Sequence, residues 1–227
     1  MYNYYDGAFH DAGRRHSKPM ARKTKQDADA TRSRLLDAAE QVFYDKGVSR
    51  ASLNDIACAA GATRGAIYWH FKDKGDLFTA MMDRATSPLQ RANRDDEEFS
   101  RSQEEPLQRL RDRIDYVLRT IATDARACRV FEIALFRVEY VDELATARDR
   151  HISECGGFQQ KLEDDLQAAA AAQGITLPQG AHCAAIGLRS VFEGLMQTWL
   201  LNHADFDLLG VSRMVVDAYL KGLGFRL

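Results

Sequence analysis

Residues 52–76, SLNDIACAAGATRGAIYWHFKDKGD, are too punctuated for one long helix and too helical in period for strands. Ser52 stands three residues before Asp55, the spacing of a capping box with a short acid in place of the usual Glu. Leu53, Ile56, Ala57 and Ala60 then fall on one helical face. Gly61 supplies the left-handed stop that ends such a helix, and Thr63 caps the next. In that second helix Ile67 and Phe71, four apart, face inward. Arg64 with Tyr68, Gly65 with Trp69 and Ala66 with His70 fill the rest of the circumference. The pattern predicts two short helices joined by a tight turn, with Asp73 capping a third.

The exposed set on the second helix is not that of a solvated face, which favours Glu, Lys and Gln. Tyr, Trp and His gathered behind an Arg and a Gly have a use on DNA. A helix-turn-helix lays its second helix in the major groove with its first turn against the base edges. Arg can fork onto a guanine, and a glycine lets the backbone come close. Tyr, His and Lys donate to phosphate oxygens, and the amino end of the third helix, beside Lys72 and Lys74, suits a phosphate. The candidate DNA-binding residues are therefore Lys25, Ser52, Thr63, Arg64, Gly65, Tyr68, Trp69, His70, Lys72 and Lys74. A plain three-helix unit with partly buried aromatics would carry much of the same pattern.

The run T-R-G-A-I-Y-W-H-F-K-D-K-G-D-L-F at residues 63–78 closely resembles the DNA-binding domain of TetR-type transcriptional regulators. The segment M-A-R-K-T-K-Q at residues 20–26, with Thr31 and Arg32, is similar to the opening of the branch that represses multidrug efflux pumps. The strong resemblance spans residues 20–83. Beyond it the likeness is one of helix order. It implies an all-α fold: an N-terminal three-helix helix-turn-helix domain at residues 20–76 and a larger helical ligand-binding and dimerisation domain at residues 77–227. It also implies a homodimer on a pseudo-palindromic double-stranded operator, released by a small apolar or aromatic effector.

Composition agrees and excludes alternatives. Only four prolines occur in 227 residues, and Ala, Leu, Arg, Asp and Glu dominate, so long helices are expected. No apolar run approaches the roughly 20 residues of a membrane span, and the first residues lack the apolar core of a secretory leader. Cys58, Cys128, Cys155 and Cys183 are scattered without a C-x-x-C, the usage of reduced cytosolic thiols. No nucleophile elbow, HExxH, P-loop or GxGxxG accompanies the His and Cys residues, so neither an enzyme, a metal nor a cofactor is expected. Residues 20–90 carry 11 Lys and Arg against 9 Asp and Glu, and residues 91–227 carry 17 against 22. A mildly basic front before an acidic remainder suits a DNA-binding head on a body that does not touch DNA.

Residues 1–19 have no periodicity and precede a second Met; they read as a disordered extension, or as a basic arm through Arg14, Arg15 and Lys18. A supporting helix is expected over residues 31–46, ended by Gly47, with a basic arm before it. A link helix begins at Leu77 and fades near Pro88 or the charged run at residues 95–98. Glu105-Pro106 starts a helix whose stripe is Leu107, Leu110, Ile114, Val117 and Ile121. A shorter one over residues 128–137 is apolar on several sides. Residues 141–172 follow, with a stripe of Cys155, Phe158, Leu162, Leu166 and Ala169, room for a kink at Gly156-Gly157, and Gly174 as terminator.

The last two helices, to Asn202 and over residues 211–220, carry more than one apolar stripe. They either pair with their copies across a two-fold axis or are buried deeply within one subunit. The candidate effector-binding residues are Met81, Met82, Leu110, Phe131, Phe136 and Phe158, with Glu132, His151, Glu193 and Gln197 as orienting groups. An ordinary helical core accounts for the apolar ones as well. The alternative is a TetR-like DNA binder without a small-molecule inducer, acting through protein partners or chromosome organisation.

Overall fold

The computed structural model describes residues 18–93, 105–139, 144–202 and 205–227, and among them the secondary structure is helical throughout. The helices are α1 (Lys18–Lys46), α2 (Leu53–Ala59), α3 (Arg64–His70), α4 (Lys74–Asn93), α5 (Pro106–Thr123), α6 (Ala125–Phe136), α7 (Ala145–Gln173), α8 (Gly180–Leu201) and α9 (Leu208–Gly222). None is long and apolar enough to cross a membrane. Most of the proposed extension, and the charged run after α4, lie outside the described residues.

α1 begins much earlier than its apolar stripe suggests. The segment expected as a basic arm is its first turns, because Pro19 fits a helical first turn and nothing breaks the chain before Gly47. Gly47 has φ +79, the left-handed stop. α4 likewise runs through Pro88 to Asn93. The carbonyl of Pro88 accepts from the Tyr116 hydroxyl at 3.1 Å, which ties this part of α4 to α5.

Two apolar cores divide the molecule. The first gathers Leu35, Leu36 and Phe43 of α1, Ile56 of α2, Ile67 of α3 with Phe71, and Leu77, Phe78 and Met81 of α4, all at most 2% exposed. Val130, Ile133 and Ala134 of α6 close it. The border expected between residues 76 and 77 thus falls inside one cluster. The second core is built on α5, which packs against α4, α6, α7 and α9, while α8 packs on α7 and α9. The α5 stripe is Leu107, Leu110, Ile114, Leu118 and Ile121, with Leu118 taking the place expected for the half-buried Val117. α6 faces both cores, as its all-round apolar pattern predicts.

Polar contacts lock α1, α4 and α6 together. Arg84 of α4 pairs with Asp37 at 2.9 Å and with buried Glu40; Arg126 of α6 reaches the same two acids at 3.0 and 3.3 Å. At the other end of α6 the Val48 N–H donates to the Arg137 carbonyl at 2.9 Å. α7 is continuous through Gly156-Gly157 and ends at Gly174, φ 66. In the α8–α9 pair the Tyr219 hydroxyl donates to the Ala184 carbonyl at 2.9 Å, and a Cβ at Gly187 would collide with that ring.

Candidate nucleic-acid interface

α3 is seven residues long, too short to persist alone, so its neighbours must hold it. Thr63 Oγ1 accepts from the Ala66 N–H at 3.1 Å, and Ile67 and Phe71, 0% and 2% exposed, pin one face to α1 and α2. Before it, α2 starts on the expected capping box: Ser52 Oγ accepts from the Asp55 N–H at 3.1 Å, and the Ser52 N–H donates back to the carboxylate at 3.0 Å. Ser52 and Lys46 hold the Asp55 carboxyl down to a pKa of about 2. Gly61, φ +60, makes the turn between the helices.

With that face anchored, the opposite one points outward. Trp69 is 73% and Tyr68 50% exposed, large areas for aromatic rings that the protein leaves uncovered. Arg64 lies over the Tyr68 ring at 5.7 Å, which orders the guanidinium at the start of the helix. Trp69 and His70 meet edge-on at 4.6 Å. Burial, and then the nearby Arg32 charge, push the His70 pKa below its ordinary value. That shift favours the neutral imidazole, which offers a single N–H. A Cβ at Gly65 would meet only Thr63 Oγ1, at 3.9 Å, so the glycine leaves room outside the protein.

Lys25, Lys72 and Thr63 are exposed. Asp73 caps α4 by accepting from the Asp76 N–H at 2.8 Å.

Two expectations need correction. Lys74 is 6% exposed, and its ammonium donates to the carbonyls of Ser49 and Ala51 at 3.1 and 3.2 Å, tying the α1–α2 connection to α4. It is a strut and not a free phosphate donor. Ser52 gives its hydroxyl proton to Asp55 at 2.7 Å, so its donor is committed to the cap.

Among the described residues the ten effector candidates fall in different surroundings. Met81 and Met82 belong to the first core, because the start of α4 packs on the head. Leu110, Phe131, Phe136 and Phe158 do meet in or against the second core, where Phe158 packs edge-on to Phe192 at 5.6 Å. Glu132 lines a cleft of about 340 Å³ between α1 and α6, with Tyr44 and Cys128. Glu193 pairs with Arg189 at 3.7 Å on a half-buried flank of α8, and Gln197 is exposed. The His151 side chain lies outside the described residues. Periodicity assigns a residue to a stripe but not to the partner that the stripe meets. A second cleft, about 360 Å³, lies between α5 and α9 and is lined by none of these ten.

Sequence reasoning missed three features. The Arg84–Arg126 cluster on Asp37 and Glu40 joins residues far apart in the chain. Arg113 and Asp165, both buried, pair across α5 and α7 at 3.3 Å. Gln159 is buried on α7, at a core position three residues before Leu162. That spacing was the available signal for Gln159; nothing local marks the other two.

Residues 35–81 match the model for bacterial regulatory proteins of the tetR family. Residues 105–225 match that for the C-terminal region of MAATS-type transcriptional repressors. The chain is similar to the HTH-type transcriptional regulator AcrR of Shigella flexneri, with 37% identity over 89% of this chain and 93% of that protein. Its fold is similar to NalD, the secondary repressor of the MexAB-OprM multidrug efflux pump in Pseudomonas aeruginosa. That match has a TM-score of 0.78 and 30% identity, and covers 87% of this chain and 98% of NalD. It is also similar to SmeT in complex with triclosan, with a TM-score of 0.68 and 26% identity over 85% of this chain and 91% of that one. SmeT is the repressor of the Stenotrophomonas maltophilia multidrug efflux pump SmeDEF. With an outward-facing α3 on a helix-turn-helix head and both parts matched, the chain belongs to the TetR family of DNA-binding transcriptional repressors, related to regulators of efflux pumps.

Proposed function

We propose that this protein is a homodimeric repressor of a multidrug efflux operon, released from a pseudo-palindromic operator by an apolar or aromatic small molecule. The observation that carries the DNA part is the uncovered face of α3, where Arg64, Gly65, Tyr68 and Trp69 stand outward while Ile67 and Phe71 hold the helix. Arg64 reads a base edge, Gly65 admits the backbone to the groove, and Thr63, Tyr68, His70, Lys72 and Lys25 contact phosphates.

One such helix reads too few base pairs, so two copies present heads about 34–36 Å apart. Exposed Ile186 and Leu201 on α8 and Met214 on α9 supply an apolar face for the pairing. The efflux target is supported by what NalD and SmeT repress, and the effector class by triclosan on SmeT. The effector sits among Leu110, Phe131, Phe136 and Phe158, and its differential affinity for a splayed body moves α4. A difference of about 1–3 kcal/mol weakens operator binding about 5–150-fold.

A second reading is a DNA binder without an inducer; the dispersal of the ten candidate residues favours it. Footprinting upstream of the protein's own gene and of efflux-pump genes, with and without triclosan-like drugs, tests both. A two-fold protected site that drugs abolish supports release. Protection untouched by every drug supports the second reading, and no protection at either place removes the efflux assignment.

A further inference from the structure

The core-facing row of α7 reads Gln159, Leu162, Leu166, Ala169, spaced by three and four. The last three are at most 1% exposed and belong to the second core. Gln159 occupies the same row at 9% exposure. Its amide nitrogen and oxygen are both fully buried, and among the described residues neither has a hydrogen-bond partner. The other buried polar groups on this side of α7 are paired: Asp165 holds Arg113 at 3.3 Å and Arg109 at 2.9 Å. An amide taken from water and left unbonded is a standing penalty in the free protein. Leucine at this position would remove it at similar volume.

Phe158, the preceding residue, meets Phe192 of α8 edge-on at 5.6 Å, so the amide sits on the helical turn that carries an aromatic pair. Gln159 lines neither of the two clefts. α7 packs against α4 at the link to the head.

We infer that Gln159 is the specificity-determining residue of the effector site, and that it selects an aromatic molecule whose edge carries a hydrogen-bond donor beside an acceptor. A carboxamide or lactam has that edge. This rests on the effector-released reading above and deepens it. The amide oxygen accepts from the donor and the amide nitrogen donates to the acceptor, a two-bond match that a bare hydrocarbon cannot make. The phenylalanine pair takes the ring. A buried polar group left unpaired rejects the hydrocarbon more strongly than an apolar wall rejects a polar group. Because α7 packs against α4, recognition of that edge is coupled to the head's link.

The test uses the full chain without DNA, with 2-naphthamide and 2-isopropylnaphthalene as probes that share one ring system. Gln159→Leu is expected to melt at or above the wild-type temperature. The naphthamide should bind wild type on the order of tenfold tighter than the variant, while the hydrocarbon binds both alike or prefers the variant. Gln159→Met repeats the comparison if the leucine variant fails to fold. A lowered melting temperature in both variants would place the amide in a structural hydrogen bond and overturn the inference. So would equal naphthamide affinity across the three proteins, or no binding of either probe to wild type. Operator binding is measured separately by gel shift. Operator affinity with indifference to the amide edge sinks only this inference, whereas no operator affinity sinks the reading beneath it.

Discussion

At Gly65 the protein's own packing asks for nothing, since a Cβ would find a single contact at 3.9 Å. Gly65→Ala should therefore leave the melting temperature unchanged or slightly raised, as alanine is the better helix former by about 1 kcal/mol. The same change should weaken operator binding by crowding the groove. Unchanged affinity in a gel shift would remove Gly65 from the interface. Arg64→Ala is expected to cost about 1–3 kcal/mol of operator affinity and to relax the preference at one base pair, read from binding to a panel of operator variants. Lysines separate by their burial. Lys72→Met should reduce the salt slope of operator binding by about 1, the signature of one lost phosphate contact. Lys74→Met should leave that slope alone and instead destabilise the fold by about 1–3 kcal/mol, because the Ser49 and Ala51 carbonyls lose their buried donor. For a chain of this size that is a fall in melting temperature of about 2–4 °C per kcal/mol.

Among the elements, α2 and α3 were legible because their signals are local. A capping serine, a stop glycine, a capping threonine and two apolar anchors lie within twenty residues, and each makes the contact its spacing predicts. The cap carries a pH signature. The Asp55 pKa is depressed to about 2 from an ordinary 3.8, so its charge-dependent support of α2 is fully present above about pH 3.8 and is lost as pH falls through about 2. The stability gap between wild type and Asp55→Asn, from urea unfolding at a series of pH values, should close only in that window. A carboxyl titrating near 3.8 by NMR would contradict it. α1 begins ahead of its apolar stripe because such a stripe marks where a helix is buried, not where it begins. The effector candidates scattered for a related reason. α4 serves the first core with Met81 and the second half of the molecule further on, and a period of 3.6 does not say where one surface ends. Lys74 was misassigned because a lysine beside a helix start looks the same in sequence whether its ammonium meets water or two carbonyls.

For the proposed dimer the decisive quantity is the distance between two reading heads, which no single subunit sets. The apolar residues left uncovered on α8 and α9, Met214 at 64%, Leu201 at 59% and Ile186 at 42%, lie far along the chain from the exposed aromatics of α3. A face of that kind gains roughly 25 cal/mol for each Å² it buries, and a buried glutamate without a partner opposes the gain by several kcal/mol. Met214→Glu should therefore leave each subunit folded, since the side chain points away from its own core, yet shift the assembly toward monomers. Sedimentation at micromolar concentration should show wild type as a dimer and the variant as a monomer. The wild-type melting temperature should rise with protein concentration, and that of the variant should not. Operator affinity should fall to that of one head on one half-site, with the cooperative advantage of the second half-site gone. A variant that sediments as a dimer would place the subunit contact elsewhere. A monomeric variant that still holds the full operator as tightly as wild type would show that one α3 suffices, and the two-fold operator would have to be abandoned.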